Sequence, residues 1–527
     1  STMAGRTWTW AYSRAAGTIT STTPEGRVST TFLDSRGRVV EVRAPDVAPV
    51  TSTYDQTTGR LTSVAQGSRV TSYGYDALGR LQSVTRPDGK QVAVASDAAN
   101  RPSSVTAPGD QVVSVGRDGA GWATSITPPG QAASAMALGS DGQLDTYTPA
   151  GSSQAVTQLT YNANRQPATA GGADRPTTVF GYDPATGRLV TAKTGAADPL
   201  TVEYGADGRL AAVTSADGVR TSRIYDGELA VGVQQTAPVT RAFDARLRAS
   251  SMTVGGGATV AYGYDADDLP TSVGAESLVR SAASGRLAGT ALGVTTSAFA
   301  FDPTFGELTR LVHATGGPAT LDRSLQRDTR GRITGVVEGG LAGSSSTTYG
   351  FDDADRLVEV RVGGQVVEAY SYDTAGNRTS ATVGGATTTA TLDAATGGLL
   401  AYGDRTYGYD AQGRVTAGAR SGAGTTTFSY FNGALKSVSL PDGRVVGYVL
   451  DAAGRRVSKT VDGVAVEGYV WDGGRLVGVT DGSGTLQSQL VYGTESHSPD
   501  FMVRGGATYR FVKDERGSIR AVVDAAS

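Results

Sequence analysis

Two histidines, His313 and His497, are the whole imidazole complement of this 527-residue chain, and it has no cysteine. Thiolate nucleophiles, thiolate metal sites and disulfides are therefore excluded, and cysteine usage leaves the redox compartment open. His497 lies in Glu495-Ser496-His497-Ser498-Pro499-Asp500, which holds the three residue types of a serine-hydrolase triad. A triad needs those groups to converge from separate elements beside an oxyanion hole, so neighbours in one polar stretch read as a surface turn. No Gly-x-Ser-x-Gly elbow, Walker-type phosphate loop or His-Glu-x-x-His occurs. Gly255-Gly256-Gly257 lacks the strand-to-helix setting of a dinucleotide loop and reads as a turn. The acid clusters Asp265/Asp267/Asp268 and Asp352/Asp353/Asp355 suggest calcium, but neither extends into a full EF-hand loop with its terminal Glu. They read as turn acids. Trp8 and Trp10 alternate like strand residues and read as packing rather than a sugar platform. No catalytic, cofactor-binding or metal-ligating residue is assigned, and no enzyme activity is expected.

What the chain does carry is a repeat. Asp34, Asp55, Asp76, Asp97 and Asp118 recur every 21 residues. Around them runs one phrase, clearest as Tyr75-Asp76-Ala77-Leu78-Gly79-Arg80-Leu81. A fixed period of this length means one small unit copied and stacked. Asp at the first turn position accepts N–H bonds from the residues ahead of it, and Gly three places on takes φ > 0. Leu or Val after the Arg restarts a strand. Second turns such as Pro87-Asp88-Gly89 and Pro441-Asp442-Gly443 follow within about ten residues, leaving two strands of usual length per repeat. The expected fold is all-β: a spiral of antiparallel β-hairpins of ~21 residues, a little over twenty of them.

The strand entering each turn alternates, as in Tyr73-Gly74-Tyr75 and Tyr262-Gly263-Tyr264, which puts both rings on one face. Ring beside ring across neighbouring repeats is the expected packing spine. Leu81 and Val84, three apart, point to opposite faces unless a bulge intervenes, and both arrangements stay open. Longer intervals near 270–330 imply insertions or degenerate repeats. A ribbon of some forty strands offers on the order of 4,500 Å² per face, and coiled one sheet thick it encloses on the order of 10⁴ Å³. That space exceeds what its own side chains fill, so the expected form is a hollow single-walled shell.

Composition agrees. Gly supplies 72 residues and apolar residues 39%, which suits many turns and a thin core. A net charge of -3 predicts no attraction to nucleic acid or acidic membrane. No apolar run approaches the ~20 residues that span a bilayer. Ser1-Thr2-Met3-Ala4-Gly5 is no signal peptide and reads as the start of an excised fragment or as a cloning remnant.

Tyr-Asp-x-x-Gly-Arg-Leu at 75–81, its longer form at 182–189 and Tyr409–Val415, on this period, resemble the YD repeat of Rhs proteins, toxin-complex C-type subunits and teneurins. Arg504-Gly505-Gly506-Ala507-Thr508-Tyr509-Arg510 and the run 514–524 resemble the opening of the Rhs-associated core. The resemblance implies a YD/Rhs-repeat β-shell over 1–480 and, over 481–527, an irregular end of the shell that turns toward its mouth or interior. It implies an enclosed C-terminal polypeptide or toxin domain as partner and a bacterial protein secreted or displayed at the cell surface. The family's aspartate-dependent self-cleavage site is expected beyond Ser527. An extracellular teneurin-like module binding protein or glycan is the alternative, and exposed strand edges make an edge-mediated dimer an expectation.

Overall fold

The computed structural model describes residues 2–3, 6–151, 156–173, 175–341 and 343–527. Among them there is no helix, and 52 strands follow one another along the chain. Thr2–Met3 pairs with Arg6–Thr7; the remaining strands, from Thr9–Ser13 to Ile519–Asp524, pair antiparallel in strict sequence order as one continuous ribbon. The strand number exceeds the expectation because degenerate turns hide hairpins. In the long interval near 270–330, Ser281-Ala282-Ala283-Ser284-Gly285-Arg286 makes a turn with Ser in the place of Asp, between strands Glu276–Arg280 and Leu287–Leu292.

The repeated phrase folds as its chemistry dictates. Asp76 Oδ1 accepts the N–H groups of Leu78 at 3.0 Å and Arg80 at 2.9 Å, while Oδ2 takes Arg80 Nε at 2.6 Å. These bonds from the Arg80 amide and guanidinium hold the Asp76 carboxyl below its ordinary range. Gly79 has φ +79°. Past the turn the register slips between Leu81 and Ser83, so Leu81 faces Tyr75 and Val84 faces Tyr73. The bulge puts both apolar residues on the aromatic face, which settles the alternative left by their spacing.

Ring-on-ring packing is not what joins the repeats. The Tyr75 hydroxyl donates to the Leu61 carbonyl of the preceding repeat at 2.8 Å, and the Arg60 guanidinium stands 5.8 Å from its ring centroid. The same unit recurs as Tyr54 with Val39 O and Arg38, Tyr264 with Ala249 O and Arg248, and Tyr372 with Leu357 O and Arg356. An arginine thus lies over each of these rings because its side chain reaches one repeat forward, and in Arg38, Arg248 and Arg356 the guanidinium is at the same time tied to the Asp of its own turn. Its flat cation suits the electron-rich ring face.

The ribbon coils. Side chains 234 to 244 positions apart meet, as in Arg510 with Glu276 and Thr23 with Asp267, so the chain makes just over two turns. Hairpin ends of the first coil abut the Asp turns of the second along one seam. The wall stays one sheet thick over most of its course. The chain exposes 26872 Å², about one and a half times the roughly 18,000 Å² of a compact monomer of this length. Both faces of the ribbon therefore meet solvent, and a true core is confined to three clusters where residues 470–525 back onto residues 237–321 one coil earlier. One groups Val260, Val273, Leu278, Leu292, Val491 and Phe501; another Val239, Val254, Val470 and Val477; the last Leu311, Leu321 and Val512.

Two expectations need correction. The chain does not leave the pairing after about 480: strands Leu486–Val491, Phe501–Arg504, Ala507–Lys513 and Ile519–Asp524 extend the ribbon in order. The core-like run keeps a tight Arg504-Gly505-Gly506-Ala507 hairpin, so backbone bonding is best met by staying in the sheet. Only the connection 492–500 is irregular. Trp10 is not packed but 59% exposed, because Thr9–Ser13 is the first strand of the ribbon and pairs on one side only. Trp8 instead has the Arg6 guanidinium 4.8 Å from its ring.

Candidate functional site

The densest chemistry of the molecule lies where strand Ala507–Lys513 backs onto strands Glu276–Arg280, Leu287–Leu292, Thr295–Phe301 and Leu308–Thr315 one coil earlier. Strand alternation there turns Arg510 inward. Its guanidinium donates to Glu276 Oε1 at 2.5 Å, Thr290 Oγ1 at 2.5 Å and Ser297 Oγ at 3.0 Å. Both members of the Glu276–Arg510 pair are buried. Glu276 Oε2 has no hydrogen-bond partner, and burial pushes this carboxyl up to about 7 despite Arg510 beside it. The pair fastens the two coils, since removing either partner would strand the other charge in the wall.

His313 joins the same network. Its Nδ1 lies 2.7 Å from Ser297 Oγ and its Nε2 lies 2.9 Å from the Lys513 carbonyl. The carbonyl can only accept, so Nε2 carries the proton and Ser297 donates to Nδ1. The ring also meets Phe299 edge-on at 6.5 Å. Burial, with Arg510 next in effect, lowers His313 to about 4, so it is neutral at physiological pH. Ser297 and His313 form a hydrogen-bonded pair without a carboxylate on the imidazole, and Ser297 Oγ is held by Arg510. That arrangement holds a wall together and does not arm a nucleophile.

Beyond His313 the seam continues in charge. Lys513 Nζ donates to Asp500 Oδ1 at 2.9 Å, and Asp500 Oδ2 accepts the amides of Gly493 at 2.6 Å and Thr494 at 2.7 Å. Arg323 Nε reaches Glu515 at 2.8 Å and also pairs with Glu338. A pocket of about 180 Å³ lies among Phe299, Leu311, His313, Asp500 and Lys513.

His497 is exposed in the connection 492–500, while Asp500 is buried against Lys513 and Ser498 Oγ donates to Gly517 O at 2.9 Å. The segment 495–500 therefore brings no triad together. Asp265, Asp267 and Asp268 are turn acids taken up by arginines: Arg27 on the first two, Arg6 and Arg248 on the third. Asp352 pairs with Arg356, Asp353 with Lys90, and Asp355 with Arg86, Arg330 and Arg332. Gly255-Gly256-Gly257 is a turn whose last residue abuts Leu486 and Gln489 of the next coil. The buried network of Glu276, Ser297, His313 and Arg510 was missed, since its members are spread over more than two hundred positions and none sits in a motif. Its one sequence signal is a glutamate and a histidine each two positions from a buried leucine, Leu278 and Leu311, on the same face of its strand.

Comparison with known proteins agrees with the geometry. The teneurin YD-shell family matches residues 5–171 and 258–527. No curated protein sequence matches. Among solved structures, a TcdB2-TccC3-TEV crystal structure superposes with a TM-score of 0.66 at 12% identity, over 97% of this chain and 34% of that one. The Photorhabdus luminescens Tc holotoxin pore with a TccC3 D651A mutation gives 0.66 at 13%, also over 97% and 34%. TcdB2-TccC3 without its hypervariable C-terminal region gives 0.56 at 13%, over 97% and 34%. At these identities the likeness shows the fold, and this chain spans about a third of the length of each. With its Asp turns, its forward-reaching arginines and its coiled single wall all in place over most of the length matched, the chain belongs to the teneurin YD-shell family.

Proposed function

We propose that the protein is a non-enzymatic container, a bacterial shell that acts outside the cell and shields a polypeptide continuing from or held near its C-terminal end. The observation that carries this is the exposed area: a wall with two wetted faces is useful only if its inner face adjoins something worth separating from bulk solvent. The end of the ribbon supports it, because the final strands are fastened to the coil before them through Arg510 to Glu276 and through Val294 N–H to Ala525 O at 2.8 Å. On this reading 1–480 forms the general wall and 481–527 the segment that locks it and hands the chain on.

The test is a fusion of an unstructured polypeptide with a single protease site after Ser527. Cleavage many-fold slower than in the same polypeptide alone supports the container. Cleavage at the unfused rate, with the shell still folded by circular dichroism, refutes it. Binding of that unprotecting shell to intact cells or a glycan array would assign the work to its outer face instead.

A further inference from the structure

Every strand ladder joins sequence neighbours, so the seam between the coils is crossed only by turn contacts and side chains. Its contacts fall into three zones. In the first, cations of coil one meet carboxylates of coil two: Arg6 with Asp268, Arg27 with Asp265 at 2.8 Å and with Asp267, Arg69 with Glu307 at 2.7 Å, Arg86 with Asp355 at 3.2 Å and Lys90 with Asp353. In the second, small residues touch. A Cβ at Gly109 would lie 2.9 Å from that of Ala354, and Gly130 and Gly151 abut Thr374–Ala375 and Ala395 as closely. The third is the buried stretch that begins with Ser215 Oγ donating to Leu450 O at 2.8 Å and Leu450 N–H to Asp217, itself paired with Lys436, and continues through the three apolar clusters and the Glu276–Arg510 network.

Between the second and third zones the seam gapes. Opposite the hairpin end Gly195–Asp198, the second coil has no Asp turn but the two-residue turn Asn432-Gly433, with φ 47° and 82°. This shorter turn leaves cavities of about 610 and 250 Å³ on its two sides, both lined by Phe431 and Asn432.

We infer that the wall opens along this seam, parting in the ionic and small-residue zones while hinging on the buried zone, and that this is the route by which an enclosed polypeptide enters or leaves. The inference rests on the container reading for the meaning of the route, not for the motion. Parting there breaks no ladder, whereas a gap anywhere else in the wall breaks one. The charges are sorted by coil almost throughout, so salt weakens these contacts in one sense. The gap beside Asn432-Gly433 ends the parting line where the buried zone begins.

Two backbone amides report on the seam without any cargo. Ala48 N–H donates across the ionic zone to Thr304 O at 3.0 Å, and Val294 N–H across the buried zone to Ala525 O at 2.8 Å. Hydrogen exchange resolved to single amides, from low salt to about 1 M NaCl, should speed Ala48 at least tenfold and leave Val294 and the ladder amides unchanged. Asp267→Asn with Glu307→Gln should give the same effect at low salt, and the swap Arg69→Glu with Glu307→Arg should restore Ala48. If Ala48 and Val294 respond alike, or if Ala48 exchanges only as fast as the ladders, the seam is a weld and the inference fails. Its failure would be separate from loss of protease protection, which tests the container.

Discussion

Glu276 and His313 sit in one buried network yet bind protons in opposite senses, and this sets up an unusual pH experiment. Glu276 is raised from 4.5 to about 7, so the folded state holds its proton more tightly than the unfolded chain. Its contribution is full below pH 4.5 and is lost as pH rises through 7, a change of about 3 kcal/mol. His313 is lowered from 6.5 to about 4. Its contribution is full above 6.5 and is lost as pH falls toward 4, again about 3 kcal/mol. Between pH 7.5 and 4.5 the two nearly cancel. Substituting one exposes the other: His313→Gln should gain about 3 kcal/mol relative to the parent on going from pH 7.5 to 4.5, and Glu276→Gln should lose about as much. The depressed turn aspartates lower stability with acid in every variant alike, so the difference from the parent isolates these two groups. The assay is the urea midpoint at each pH, read by pulse hydrogen exchange on strand Ala507–Lys513, which carries Arg510. Parallel pH profiles for parent and both variants would refute the argument, because they would mean that neither group changes its proton affinity on folding.

Asp76→Ala removes two amide acceptors and the Arg80 partner, and should cost about 1–2 kcal/mol, as for a lost helix cap, seen as faster exchange confined to that hairpin. Gly79→Val should cost more, since φ is +79° and a Cβ there would fall 1.7 Å from the Arg60 guanidinium; equal effects of the two changes would count against a φ > 0 requirement. Tyr75→Phe loses the bond to Leu61 O and should cost about 1 kcal/mol while keeping the ring under Arg60, so an unchanged urea midpoint would show that the hydroxyl contributes nothing. Leu311→Ala, at 2% exposure in the cluster with Val512, should cost about 2–5 kcal/mol and loosen the final strands before the first coil, whereas uniform loosening would contradict a core localised at the C-terminal end.

The repeat, and with it the fold, is legible in the order of residues alone. Asp76, Gly79 and the strand residues beside them act within a few positions of one another, so their turn bonds and alternation are legible from spacing alone. The Tyr-Asp-x-x-Gly-Arg phrase also carried the family resemblance. What spacing could not decide was any relation between repeats. The bulge that turns Leu81 and Val84 to one face is a register slip against the neighbouring strand. The arginine over each ring depends on how far a side chain reaches from one turn to the next. Degenerate turns such as Ser281–Arg286 keep the geometry with a different first residue, so the period lost them. The coil itself lies furthest from sequence. Arg27 meets Asp267, and Glu276 meets Arg510, only because twist accumulates over more than two hundred residues to bring one turn of the ribbon beside the next. The buried Glu276–Ser297–His313–Arg510 network is a product of that closure, and only the tertiary structure could place it.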